Sequence, residues 1–372
     1  MIHNNQTPTQ ERRENAFSQN NRVISFFNSF LQSLKGKKVG IFHHTDSDGV
    51  SSGIILGELV KKYTKKNPKY YPTTYTMLQK GIPLQHIKKE KIQKALFIDL
   101  GIDGQEDFTK KLSKEVSWFL IDHHELYHDA DNIIKPQKFT SIPASRYPCG
   151  KLSYDLAQQH MDVTSKDWIA CLGIIGDMAT EQWKEFIDAT FKKYGWEKKE
   201  NYYDTIPGEV CKLETSIEAL NDTKKLQQLM NTMQKAKRPE DVLKSPLRKI
   251  HDAVEKEINS TVEKIEKENK DNKYIYTEIR PKYDVKSPIS TILGVHNPNK
   301  TLIIISKSKG QYHISGRRGD GKYPVSTLIR KAIEELPGAI GGGHPQAAGG
   351  SVPTKYYSEF KKRIIEEMKR QI

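Results

Sequence analysis

The chain has 372 residues, 36% hydrophobic and 28% charged, enough for ordinary cores and suggestive of two domains or one large domain with an appendix. A formal net charge of +14 favours polyanionic partners such as nucleic acid, nucleotides or an anionic surface, although a lysine-rich composition alone explains it equally well. Three scattered cysteines, Cys149, Cys171 and Cys211, exclude a disulfide framework or zinc knuckle; with no apolar run near the roughly 20 residues of a membrane span and no signal-peptide pattern, a reducing cytoplasm and no membrane are expected.

Residues 1–20 are polar and aperiodic, and a disordered tail is expected there. Val23, Phe27, Phe30, Leu31 and Leu34 then recur at helical spacing, and Gly36 ends that helix. Lys38–His43 reads as a strand and Val50–Tyr63 as a helix. Ala95–Leu100 and Val116–Ile121 are continuously apolar and rich in strand formers, as buried parallel strands are. Leu152–His160 and Asp167–Ile175 read as helices. This alternation predicts an α/β fold, a parallel sheet covered by helices.

From about Glu181 to Asn272 the chain is helical, charged and poor in strand formers. Within Lys249–Lys270, Ile250, Val254, Ile258, Val262 and Ile265 share one face. The pattern suits a long amphipathic connecting helix, or one more packed helix of the first domain. Strand signals return at Tyr274. Thr301–Lys307 and Tyr312–Arg317 flank a hairpin turn at Lys309–Gly310, followed by a helix over Pro324–Leu336, the glycine-rich stretch Gly338–Gly350, a strand, and a basic helix over Lys355–Arg370. The expected organisation is a first domain over 21–190, a charged helical region and linker over 191–272, and a smaller α/β domain over 273–372.

The acids stand out by position. In an open parallel sheet, ligands bind beyond the carboxyl ends of the strands. "HHTDSDG" places His44, Asp46 and Asp48 just past the first strand; "ALFIDLG" ends on Asp99; "FLIDHHE" ends on Asp122, His123 and His124; "GIIGDMA" carries Asp177 after an apolar helix. Singly, each suits a helix cap or a turn. Together they would repel one another unless divalent cations lay between them. Carboxylates with imidazoles and no thiolate suit manganese, magnesium, zinc or iron. Two cations can activate a water and stabilise both oxygens of an in-line displacement at phosphorus.

"HTDSDG", "FIDLG", "IDHHE" and "GDMA", in this order, resemble the four motifs of the DHH phosphoesterases. "GGGHPQAAGG" resembles the signature of the C-terminal domain found in the RecJ-like and nano-RNase-like branch. The resemblance spans roughly Lys37 to Pro353 and is weak in the charged middle. It implies a DHH catalytic domain joined by a helical linker to a substrate-binding domain. By resemblance, Asp46 and Asp48 each hold one of two Mn2+ ions (Mg2+ being the alternative), and Asp99 bridges them. His44 completes the first site, and His123 and Asp177 complete the second. His124 faces the phosphate as donor or proton shuttle, with Asp122 orienting an imidazole. The resemblance gives Arg317 and the Gly341, Gly342, Gly343 and His344 segment a substrate phosphate to bind. Two departures stand out. Ser47 lies where many relatives have alanine, and the spacing is closer to archaeal RecJ-like proteins than to the bacterial enzyme.

The implied activity is a metal-dependent phosphodiesterase releasing nucleoside monophosphates from single-stranded DNA or RNA or from short oligonucleotides, with replication or repair proteins as partners. A small-nucleotide phosphodiesterase acting on pAp or cyclic dinucleotides is the alternative, and a replisome scaffold the non-enzymatic one. Tyr70, Tyr71, Tyr75, Tyr202 and Tyr203 are candidate base-stacking aromatics, each also suited to core or surface.

Overall fold

The computed structural model describes residues 22–308 and 310–370; the tail expected over 1–20 and Lys309 of the hairpin turn lie outside the described residues. The chain divides into two compact units, residues 22–218 with 222–248, and residues 219–221 with 249–370.

In the first unit the apolar runs form β1 (Val39–His43), β3 (Lys94–Ile98) and β4 (Ser117–Ile121), joined by β2 (Lys69–Pro72) and β5 (Ile133–Ile134). All pairings are parallel, in the order β2-β1-β3-β4-β5. The sequence does not announce β2 or β5, because two or four residues are too few to show a period. Phe42 stacks on Tyr71 and on Phe97 at 4.7 and 4.9 Å, tying three strands together on one face. The first crossover helix, Ser47–Thr64, packs against the helices Cys149–Gln158 and Asp167–Gly176. Chain order and strand order part between β1 and β3, which makes that point the topological switch.

The charged middle folds as helices Lys184–Tyr194, Ile206–Glu218 and Thr223–Lys235 in the first unit. The helix Arg248–Glu268 differs from both expectations. Its buried stripe, Val254, Ile258, Val262 and Ile265, packs against Ile275, Ile289, Leu302 and Ile304. It is a layer of the second unit rather than a free connector or a helix of the first, because that stripe finds its apolar partner on the second sheet.

The second sheet runs β6-β7-β8-β10-β9, with β6 (Tyr274–Ile279), β7 (Thr301–Ser308), β8 (Gln311–Arg317), β9 (Ile340–Gly343) and β10 (Ala347–Pro353). Only the β6–β7 pair is parallel. Both faces are covered, which explains the unbroken apolar run in β7. Leu302 and Ile304 meet the helices Arg248–Glu268 and Lys286–His296, while Ile303 and Ile305 meet Val325–Ile333 and Tyr357–Lys369. Among the described residues, no helix is long and apolar enough to cross a membrane.

Candidate metal centre

β3 and β4 deliver their acids in the same way, each ending one residue early and bonding the next amide to a neighbour. The Asp99 amide donates to the Ile121 carbonyl at 2.9 Å, and the Asp122 amide to the Ile134 carbonyl at 3.0 Å. Asp99 takes a positive φ of 56°, which turns its side chain out of the strand line. Asp46 caps the helix Ser47–Thr64, accepting from the Gly49 amide at 2.9 Å, so the capping role and a role at the strand ends fall on one carboxylate.

Two triads result. Ligand atoms of His44, Asp46 and Asp99 lie within 4.8 Å of one another, and so do those of Asp48, His123 and Asp177. His44 Nδ1 is 2.7 Å from Asp46 Oδ2 and 3.9 Å from Asp99 Oδ2. His123 Nε2 is 3.3 Å from Asp177 Oδ2, 3.4 Å from Asp99 Oδ1 and 3.9 Å from Asp48 Oδ2. Asp99 therefore touches both groups. Its Oδ1 is buried with no hydrogen-bond partner, and a buried carboxylate oxygen in that state calls for a cation.

The electrostatics point the same way. Burial raises the Asp99 carboxyl well above the usual range, and Asp46 and Asp48 add to it. Burial likewise raises Asp177, with Asp48 contributing. His44 is the counterpart: burial would lower it, but Asp46 and Asp99 outweigh that and hold it near 10. Without a metal, the rim must hold protons to limit its own repulsion.

The supporting contacts fix which atoms face inward. His123 Nδ1 meets the Ala144 carbonyl at 3.2 Å, leaving Nε2 toward the carboxylates. His124, 44% exposed at its side chain, meets Asp122 through Nδ1 at 2.7 Å, so its Nε2 is available to a ligand. Asp122 is itself paired with buried Lys135 at 2.9 Å, and Lys135 also binds Asp103 at 2.8 Å. Burial would raise the Asp122 carboxyl, but His124 and Lys135 hold it well below the usual carboxylate range. The sequence reading missed Lys135, which follows a two-residue strand. It also missed the seat of Asp48. That carboxylate accepts from the Cys149 and Gly150 amides at 2.6 and 2.7 Å. A Cβ at Gly173 would lie 2.4 Å from Asp48 Oδ1, so only glycine fits there. Cys149 adjoins Asp48 and Asp99, and burial raises its thiol well above the usual value.

Of the five tyrosines, Tyr70 and Tyr71 are buried. Tyr202 and Tyr203 are half-buried. Tyr75 alone among them is exposed, its ring 5.6 Å from that of His44.

In the second unit, Arg317 and Lys286 line a pocket of about 310 Å³ with Gly342, Gly343 and Ala347. Arg317 donates to Thr291 Oγ1 at 3.0 Å, and neither cation forms an ion pair among the described residues. Burial lowers the pKa of both. The glycine stretch forms an edge strand, β9, rather than a loop. Gly341 is not part of the pocket wall: a Cβ there would meet Ile329 Cγ2 at 2.7 Å, so this glycine lets a helix approach. His344 is exposed in the β9–β10 turn, its amide bonded to the Ala347 carbonyl at 2.8 Å. Lys286 was not foreseen; nothing in "VKSPIS" separates it from the many surface lysines.

Residues 38–176 match the N-terminal domain of the DHH family, and residues 271–372 match the DHHA1 domain. The chain is a DHH-family protein. RecJ from Thermus thermophilus, solved with Mn2+, has 15% sequence identity and a TM-score of 0.66, over 98% of this chain and 55% of that one. The chain thus spans about half of the Thermus protein's length. An exonuclease RecJ bound to manganese gives 16% identity and a TM-score of 0.65, over 96% of this DHH chain and 94% of the other. An exopolyphosphatase-related protein from Bacteroides fragilis gives 14% and 0.52, over 93% and 96%. At such identities the likeness is one of fold. No curated protein matches the chain.

Proposed function

We propose that the first unit is a two-metal phosphoesterase centre, and that the protein hydrolyses phosphodiesters of single-stranded nucleic acid or short oligonucleotides to nucleoside monophosphates. The observation that carries this reading is the pair of triads joined at Asp99, whose buried Oδ1 completes no hydrogen bond among the described residues. His44 and Asp46 would hold one ion, Asp48, His123 and Asp177 the other, with Asp99 between them. Mn2+ is the favoured ion and Mg2+ the alternative, since hard oxygen donors with imidazoles suit both. Such ions, when bound, polarise phosphoryl oxygens and acidify an attacking water.

The chain's own residues have separate tasks. His124, oriented through Nδ1 by Asp122, presents Nε2 to the substrate phosphate or the leaving oxygen. Lys135 keeps Asp122 ionised, so the imidazole stays oriented. Arg317 and Lys286, with the backbone of Gly342 and Gly343, hold a further phosphate. The exonuclease description of one structural neighbour and the +14 charge support a nucleic-acid substrate. The intact acid set speaks against a non-enzymatic scaffold. Three buried, unpaired cysteines agree with a reducing, cytoplasmic setting.

The modest pocket volume favours one rival, a phosphodiesterase for small nucleotides such as pAp or cyclic dinucleotides. A length series of 5′- and 3′-labelled single strands with Mn2+ decides between them. Stepwise release of mononucleotides from strands supports the nuclease; activity confined to a few nucleotides supports the rival; no hydrolysis of any phosphoester would overturn both.

A further inference from the structure

His44, Asp46 and Asp48 alternate with two hydroxyl residues, Thr45 and Ser47, both buried. The ligands converge on the metal centre, while both hydroxyls meet the helix Ile206–Glu218. Thr45 Oγ1 donates to Glu218 Oε1 at 2.5 Å. The Ser47 hydroxyl faces Glu214 and Cys211. Cys211, Glu214 and Glu218 are spaced i, i+3 and i+7, so one helix face meets the loop at successive turns. The helix belongs to the charged middle of the chain, outside every motif quoted from the sequence.

Glu214 is the unexpected member. It is fully buried, and neither carboxyl oxygen completes a hydrogen bond. Its charged neighbours, Asp46 and Glu218, are acids. A core position gains more stability from leucine or methionine than from an uncompensated carboxyl. An acid held there at a cost to stability, against the loop that carries three ligands, indicates a role in setting that loop.

We propose that Glu214 and Glu218 are positioning residues of the metal centre: Glu218, accepting from Thr45, and Glu214, packed beside Ser47, fix the loop so that His44, Asp46 and Asp48 are aimed before a cation arrives. The inference rests on the metal reading above. Residues that only orient ligands commonly change metal affinity by about 10- to 100-fold, which sets the expected scale.

The test is Mn2+ binding to the full chain, measured by calorimetry after chelator treatment, with thermal melting of the same metal-free samples as the structural control. Thr45→Val is expected to weaken Mn2+ binding about 10-fold, and Thr45→Ser to restore it to within about twofold of the unaltered chain. Ser47→Ala, nearly isosteric and expected to fold, should weaken binding by severalfold. Unchanged Mn2+ affinity in folded Thr45→Val and Ser47→Ala, whatever their melting temperatures, would overturn the clamp while sparing the metal centre. Failure of the unaltered chain to bind Mn2+ would instead overturn the metal reading, and the clamp with it.

Discussion

The strand-end rim of the first unit crowds Asp46, Asp48, Asp99 and Asp177 together, whereas the pocket of the second collects Lys286 and Arg317 with no ion pair to either among the described residues. Both regions hold like charges partly out of water, and burial pushes both sets toward neutrality: acids upward at Asp99 and Asp177, cations downward at Lys286 and Arg317. They differ in rigidity of framing. Asp48 is set by the amides that open the helix Cys149–Gln158 and by Gly173, while Arg317 is held by the Gly316 carbonyl and the hydroxyl groups of Thr291 and Ser287. A divalent ion needs several ligands in fixed geometry; a phosphate tolerates a flexible grip. The contrast assigns cation chemistry to the first region and anion binding to the second, and it can be broken from either side.

The largest effect is expected at Asp99. Asp99→Asn keeps the size and tolerates the positive φ, but it removes the charge that joins the two triads. Phosphodiester hydrolysis should fall by more than about 100-fold, beyond the usual cost of losing a merely orienting residue. The metal-free melting temperature should stay level or rise, because a buried repulsion is relieved. Hydrolysis within tenfold of the unaltered chain would remove Asp99 from its bridging role.

Metal removal and return test the rim as a whole. At about 100 times its Kd, a ligand adds about 2.7 kcal/mol of stability, or roughly 5–10 °C for a unit of this size. Mn2+ should therefore raise the melting transition of the first unit by that amount and leave that of the second in place. A shift in the second unit alone would reverse the assignment of the two regions.

At the cationic pocket the effects should be smaller and fall on KM. Arg317→Ala loses charge-assisted hydrogen bonds worth about 1.5–3 kcal/mol, so KM should rise roughly 10- to 100-fold with kcat nearly unchanged. Lys286→Gln should raise it severalfold. A fall in kcat with constant KM would place these groups nearer the reacting phosphorus than a remote phosphate grip allows.

The same contrast explains what was legible in the sequence. The rim was, because parallel strands end on successive motifs and the topology brings those ends together. The long buried runs that form β1, β3 and β4 show without a model. β2 and β5 do not, being too short, and the helix Arg248–Glu268 showed its apolar stripe but not which sheet would cover it. In the pocket, Arg317 came from a motif, while Lys286 is one of many lysines and is distinguished only by what surrounds it. Gly341 shows the limit of motif reading: its place in a phosphate-binding signature does not reveal that it accommodates Ile329. Glu214 was invisible because charge in a charged helix looks like surface.

Glu214 supplies the smallest effect and the sharpest sign. Burial, with Asp46 and Glu218 nearby, raises its carboxyl from 4.5 to about 8. Between those values the folded chain keeps a proton that the unfolded chain has lost. Stability from this group is therefore complete below about pH 4.5 and declines as pH rises toward 8. Asp99 and Asp177 slope the same way, so the informative quantity is the difference between the unaltered chain and Glu214→Gln, both saturated with Mn2+ to quiet the rim. Glutamine cannot titrate, so the variant should gain on the unaltered chain by a few degrees between pH 5 and 8. Parallel melting curves across that range would mean that Glu214 is ionised in the fold. It would then need a cationic partner, and the electrostatic contrast between the two units would no longer extend to the helix behind the rim.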